Sequence, residues 1–253
     1  MADDQEDDEP LVLSGSALDA LKEFYADRDA HHKQFEDLKA AAEDNAVPLS
    51  MDAFAEDWNE SQFWYSDETA VALAEELLEG ADKETTIAVV SAPSVFVQVK
   101  NILAKSGKTE DERPKVYLLE FDPRFEVFPE FVFYDFNNPL NLPQEASLKG
   151  SVDKIICDPP FLSDDCQTKA ALTVRWLSKS WDTAPASGLR VIVCTGERME
   201  NLINKLYRPA GVSTTTFEPV HSKGLSNEFF CYANFECQKW KWRVQSNDEI
   251  PRA

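Results

Sequence analysis

The sequence predicts an α/β fold in which a mostly parallel sheet is covered on both faces by helices and closed by an antiparallel hairpin. Three observations predict it. From about residue 85, short apolar runs alternate with helical stretches. The runs are apolar throughout rather than alternating in polarity, as strands buried on both faces are. The last two runs, 212–220 and 227–237, have no helical stretch between them, and only antiparallel neighbours can be joined so briefly.

The elements follow in order. Residues 1–14, opening "MADDQEDDEP", form a charged tail expected to be disordered. From Ser16, apolar residues at three- and four-residue steps (Leu18, Leu21, Phe24, Tyr25, then Phe35 and Leu38) predict one or two helices, with Ser16 and Asp19 as a capping box. "VPLSMDAFAEDWNESQFWYS" is an aromatic-rich connection, and "DETAVALAEELLEGA" a helix capped near Ser66 or Asp67 and ended by Gly80. Strands are predicted at 85–93, 115–122, 130–136, 152–160, 189–196, 212–220 and 227–237, and helices at 94–107, 164–181 and 198–207. The expected organisation is a tail over 1–14, an N-terminal helical segment over 15–82 packed on a core domain over 83–240, and a C-terminal tail over 241–253.

With 253 residues, 43% of them hydrophobic, the chain can bury one substantial core. Twenty-five basic residues against 46 acidic ones leave a net charge of −21. Such a field repels phosphate backbones, so nucleic acid is disfavoured as a partner. The acidity serves either solubility or a basic protein partner. The five cysteines contain no CxxC pair, and Cys157, Cys194 and Cys231 fall in apolar runs, so they read as free buried thiols of a reducing compartment. His31, His32 and His221 lack ligand spacing, and no metal is expected. The acidic N-terminus is unlike a signal or transit peptide, and no apolar run approaches the ~18 residues of a membrane span. A cytoplasmic monomer is the expected state.

Nucleotide-type ligands of such sheets bind beyond the carboxyl ends of the strands. After the first strand, "SAPSV" lacks the glycines a pyrophosphate needs, but Ser91, Ala92, Pro93 and Ser94 can present main-chain and hydroxyl groups to an amino-acid moiety. "LLEFD" offers two acids for a ribose diol. Glu120 is favoured, because Phe121 should then face the core and Asp122 begins a turn. After the third strand, Asp135 is placed for an adenine amine and Phe136 for its ring; an Asn- and Pro-rich turn explains the stretch equally well. "DPPF", residues 158–161, ends the fourth strand. Its two prolines hold the backbone extended and remove N–H donors, leaving carbonyls beside the Asp158 carboxylate and the Phe161 ring. That set suits a nitrogen with hydrogens to donate.

"DPPF" resembles the D/N-P-P-Y/F motif of methyltransferases acting on amine nitrogens, adenine included. The ordered set "SQFWYS", "VSAPSVF", "FVFYDFNNPLNLP", "DPPFLSDDC", "CTG" and "NEFFCYANFE" is similar to the elongation factor 1-alpha lysine methyltransferase family, across roughly residues 16–237. The resemblance implies a Rossmann-like class I methyltransferase with a seven-stranded sheet, S-adenosyl-L-methionine as cofactor, and elongation factor 1-alpha, a basic cytoplasmic protein, as substrate. It also implies that Asp158, Pro159, Pro160 and Phe161 line the amine pocket and that Trp64 and Tyr65 lie near the cofactor or the lysine channel. Asn227, Glu228 and Phe229 would face the site from the last hairpin. Phe161 departs from the tyrosine form of the tetrad, so the hydroxyl is not required.

A lysine with pKa about 10.4 is neutral in only about one molecule in 2,500 at pH 7, a handicap of about 4.6 kcal/mol. The expected mechanism has Asp158 and the Pro159 carbonyl orient the amine while desolvation and the sulfonium lower its pKa. The proton then leaves to solvent without a dedicated base. Methylation of the exocyclic amine of adenine is the competing reading, weakened by the missing basic surface. A binding module that has lost its chemistry is the third.

Overall fold

The computed structural model describes Lys22, Lys33, residues 48–51, 54, 56, 62–143, 145–181, 188–225 and 227–243. The predicted acidic tail and most of the predicted N-terminal helices lie outside these residues, although Lys22 and Lys33 are both helical. Seven strands, β1 (Thr86–Val90), β2 (Lys115–Glu120), β3 (Phe131–Phe133), β4 (Lys154–Cys157), β5 (Arg190–Gly196), β6 (Ser213–Thr214) and β7 (Phe229–Ala233), form one sheet in the order β3-β2-β1-β4-β5-β7-β6. β1 to β5 pair in parallel, and β7 runs antiparallel between β5 and β6. This is the expected Rossmann-like class I methyltransferase arrangement, with the strand order reversing between β1 and β4.

Among the described residues the longer helices on the sheet are α1 (Asp67–Leu78), α2 (Pro93–Lys105), α3 (Asp164–Leu177) and α4 (Glu200–Leu206), with a four-residue helix at Glu145–Leu148 besides. The Ser66 hydroxyl accepts from Thr69 N to cap α1, and Asp67 and Glu68 place negative charge at its first turn. Ser163 caps α3 in the same way, with Asp164 and Asp165 following. Alternate residues of each strand face opposite layers. Ile87, Val89, Leu118 and Ile156 pack against Leu73, Leu77, Val95 and Val99 of α1 and α2. Ala88, Val90, Leu119 and Ile155 pack against Val174, Leu177 and Ile203 on the other side. Cys157, Cys194 and Cys231 are free and buried in these strands, as the sequence suggests.

Two boundaries differ from expectation. The strand predicted over 212–220 shrinks to two residues: beyond Thr214 regular pairing with β7 ends in two irregular backbone bonds, Thr215 N and the Phe217 carbonyl to Cys231, while Thr215 also bridges to Trp242 and His221 to Tyr65. The C-terminal tail drawn from residue 241 begins inside the fold. Lys241 and Arg243 exchange backbone hydrogen bonds with Thr216 and Thr214, covering the β6 edge. Among the described residues no helix is long and apolar enough to cross a membrane.

Candidate active site

At the carboxyl ends of β1 to β5 lies a cavity of about 810 Å³, a size that suits a small-molecule ligand. Ser91, Ala92, Pro93 and Ser94 form its floor. Ser91 sits at φ 53, the one non-glycine residue with positive φ among the described residues. It is pinned there by its N–H, which donates to the Leu119 carbonyl at 2.8 Å. A left-handed serine costs about 1–2 kcal/mol, and strain of this kind collects at functional turns. Pro93 starts α2 at a position whose N–H would have no helical partner anyway.

Glu120 and Asp122 take different environments. Asp122 is consumed by structure: it accepts from Arg124 Nε and Nη2, from Gln62 Nε2 at 2.9 Å, and from Arg124 N as the cap of the following 3-10 turn. Glu120 Oε1 accepts from Phe121 N at 3.0 Å and Asp122 N at 3.3 Å. Its Oε2 has no partner among the described residues, and its side chain lines the cavity. Burial pushes this carboxyl up to about 7, against the pull of the two backbone N–H groups. Of the two acids, Glu120 is therefore the one with an oxygen open to the cavity, although the facing expected of its neighbour is not found. Phe121 is 48% exposed, its ring 5.6 Å from Phe133, instead of facing the core.

Asp158 follows β4, its N–H extending the ladder to the Val90 carbonyl at 3.0 Å. The Tyr65 hydroxyl donates to Asp158 Oδ2 at 2.5 Å, and Oδ1 has no partner among the described residues. Burial pushes the half-buried carboxyl up to about 8; the Tyr65 bond opposes the rise and the charge of Glu120 adds to it. No hydrogen bond reaches the Pro159 or Pro160 carbonyl from the described residues, so both stay available as acceptors. The loop is anchored behind the site by Gln167, whose Nε2 donates to the Phe161 carbonyl and to Thr195 Oγ1, each at 3.0 Å. Gly196 leaves room for the next residue: a Cβ there would lie 2.8 Å from Leu162 Cδ1.

Asp135 and Phe136 line the cavity, with the Phe136 ring 5.6 Å from Phe161. Both Asp135 oxygens also serve their own turn, accepting from Asn137 N and Asn138 Nδ2 at 2.8 Å each. Trp64 reaches the cavity wall, but its indole N–H donates to the Phe54 carbonyl and its ring packs edge-on to Phe125 in the core. Asn227 and Phe229 line the cavity; Glu228 does not, and its side chain meets Glu197 instead. Gln62, Leu162, Arg198, His221 and Leu225 are among the further wall residues and were not singled out from sequence. The strand-end acids carry a local signal, whereas His221 reaches the site through its bridge to Tyr65, far away in the chain.

A sheet in this order, with acid-bearing strand ends opening into a single cavity, defines a class I methyltransferase. A family model described as "Probable N6-adenine methyltransferase" matches residues 56–237. The chain is 45% identical over 242 residues to "Protein-lysine N-methyltransferase EFM5" of Saccharomyces cerevisiae, covering 91% of this chain and 94% of the relative. It is 42% identical to "EEF1A lysine methyltransferase 1" of Gallus gallus, covering 92% and 97%, and 38% identical to the Homo sapiens protein of that name, covering 92% and 96%. The chain belongs to the EEF1A lysine methyltransferase 1 family.

Proposed function

We propose that the chain is an S-adenosylmethionine-dependent protein-lysine N-methyltransferase whose substrate is translation elongation factor 1-alpha, modified in the cytoplasm. The observation that carries the reading is Asp158, an acid with one free oxygen, held by Tyr65 beside two unpaired proline carbonyls. The names of the relatives, which specify a protein lysine, and the net charge of −21 favour a basic protein over a phosphate backbone.

The residues fit that cofactor. The free Glu120 Oε2 suits a ribose hydroxyl, and the Ser91–Ser94 turn suits an amino-acid tail. Two acids in one cavity suit a cationic ligand, and about 810 Å³ holds a nucleoside with its tail and an entering lysine. When bound, S-adenosylmethionine supplies an electrophilic methyl group whose bonding pair stays with the sulfur.

The chain must then present a lysine nitrogen with a free lone pair and dispose of one proton. Asp158 Oδ1 and the Pro159 carbonyl orient the amine, while Phe161 and Phe136 wall it from water. An ordinary carboxylate lies more than six pH units below a lysine at about 10.4 and is a poor proton acceptor for it. Asp158, pushed up to about 8, narrows the gap to about 2.4 pH units. Once the entering cation has ionised it, Asp158 takes the departing proton before solvent does, a larger part than the sequence assigns to it.

The test is to incubate the chain with labelled cofactor and, separately, unmethylated elongation factor 1-alpha, RNA and duplex DNA. Label on a lysine of the factor is expected. Label on nucleic acid with none on the factor would replace this reading with adenine methylation, the activity in the matching family model's description.

A further inference from the structure

His221 has no part in the mechanism above. It is 7% exposed and lines the same cavity. Its ring lies 4.9 Å from Tyr65 and edge-on to Phe229 at 4.7 Å, and the backbone bridge to Tyr65 fixes the segment. Neither ring nitrogen has a hydrogen-bond partner among the described residues. Neither nitrogen is sealed inside the protein, so the unpaired imidazole is open to a group that enters the cavity.

We propose that His221 is a further acceptor for the substrate amine: once Asp158 has taken the proton, His221 takes one N–H of the neutral lysine while the Pro159 carbonyl takes the other. A neutral amine has two N–H groups and one lone pair. Acceptors on two different walls fix both N–H groups and thereby aim the lone pair. Tyr65 joins the two walls, since its hydroxyl holds Asp158, the residue before Pro159, and its ring carries His221. Burial pushes the imidazole down to about 4 against the charge of Glu56. It therefore stays neutral, keeps an acceptor nitrogen, and adds no positive charge where a cation must enter.

The inference rests on the lysine reading. His221→Phe keeps a ring between Tyr65 and Phe229 but removes the acceptor; His221→Gln and His221→Met form a matched pair with and without one, should the phenylalanine variant not fold. Thermal unfolding and S-adenosylmethionine binding are expected at wild-type values in all three. Affinity for unmethylated elongation factor 1-alpha, measured with S-adenosylhomocysteine present, should fall about tenfold in the Phe and Met variants and recover in Gln. kcat/KM should fall about 10- to 100-fold in the same order. Wild-type values in the Phe or Met variant, or equal losses in Met and Gln, would overturn the proposal while leaving the lysine reading intact. A wild-type protein that labels nucleic acid and not the factor would overturn both.

Discussion

Replacing Asp158 with asparagine should make the protein more stable and nearly inactive, with a stability gain that depends on pH. Asparagine keeps the oxygen that accepts from Tyr65 but cannot ionise. In the wild type, burial raises this carboxyl from 3.8 to about 8. A raised carboxyl contributes stability that is fully present below about pH 4 and is lost as pH rises through about 8. At face value the displacement corresponds to about 6 kcal/mol. The residue is only half-buried, however, and cavity water screens it, so about 2 kcal/mol is the magnitude to expect. For a chain of this size that is about 4–8 °C in Tm. Thermal unfolding of Asp158→Asn and wild type from pH 4 to 9 reads it directly. The two curves should coincide near pH 4, separate through neutrality and stay parallel above about pH 8. An offset constant with pH, or a variant less stable at pH 8, would refute the raised carboxyl. Turnover should fall at least about 100-fold while cofactor affinity stays within about threefold; full turnover would remove Asp158 from the chemistry.

Two further perturbations separate the cofactor end from the amine end. Glu120→Gln keeps an oxygen for the Phe121 and Asp122 amides but removes a charged acceptor, so the S-adenosylmethionine Kd should rise about 10- to 100-fold. Because the wild-type carboxyl sits at about 7 and must ionise to accept two hydroxyls, wild-type affinity should tighten from pH 6 to 8 with proton release, visible by calorimetry in buffers of different ionisation heat. A flat wild-type profile would contradict the assignment. Tyr65→Phe removes a bond that lowers the Asp158 pKa, so the limb of the pH–rate profile set by Asp158 should move to higher pH, with about tenfold less activity at pH 7 and recovery toward pH 9. An unmoved limb would show that the hydroxyl does not govern Asp158.

The sheet and the acids that line its cavity were legible together because both are written locally. Parallel strands buried on both faces read as apolar runs, and an acid at the end of such a run marks the carboxyl edge of the sheet. Glu120 and Asp158 announce themselves in this way, and the two prolines after Asp158 exclude a continued strand. Contacts made across long separations were not legible. The proposal of Glu120 over Asp122 rests on Arg124 and Gln62, which occupy Asp122, and not on the facing of Phe121, which is exposed. Trp64 and Tyr65 are adjacent and look alike in sequence. One donates its N–H into the core and the other its hydroxyl into the site, a division set by where Phe54 and Asp158 lie. His221 sits in a stretch without periodicity, and only its bridge to Tyr65 brings it to the cavity.

The tetrad itself bears on which amine is the substrate. Its first position accepts either aspartate or asparagine in the wider group of methyltransferases it resembles. An exocyclic adenine amine is not basic and arrives neutral, so an amide oxygen suffices to accept from it. A lysine arrives as an ammonium, and its site must attract a cation and then receive a proton. A carboxyl raised to about 8 does both, since it ionises as the cation approaches and still lies close enough to lysine to be protonated by it. In the unliganded protein that same burial works against stability, opposed only by the Tyr65 hydroxyl. A neutral amine gives no reason to keep an acid under that handicap. An ammonium does, and the Asp158→Asn variant separates the two, because it should spare transfer to adenine and abolish transfer to lysine.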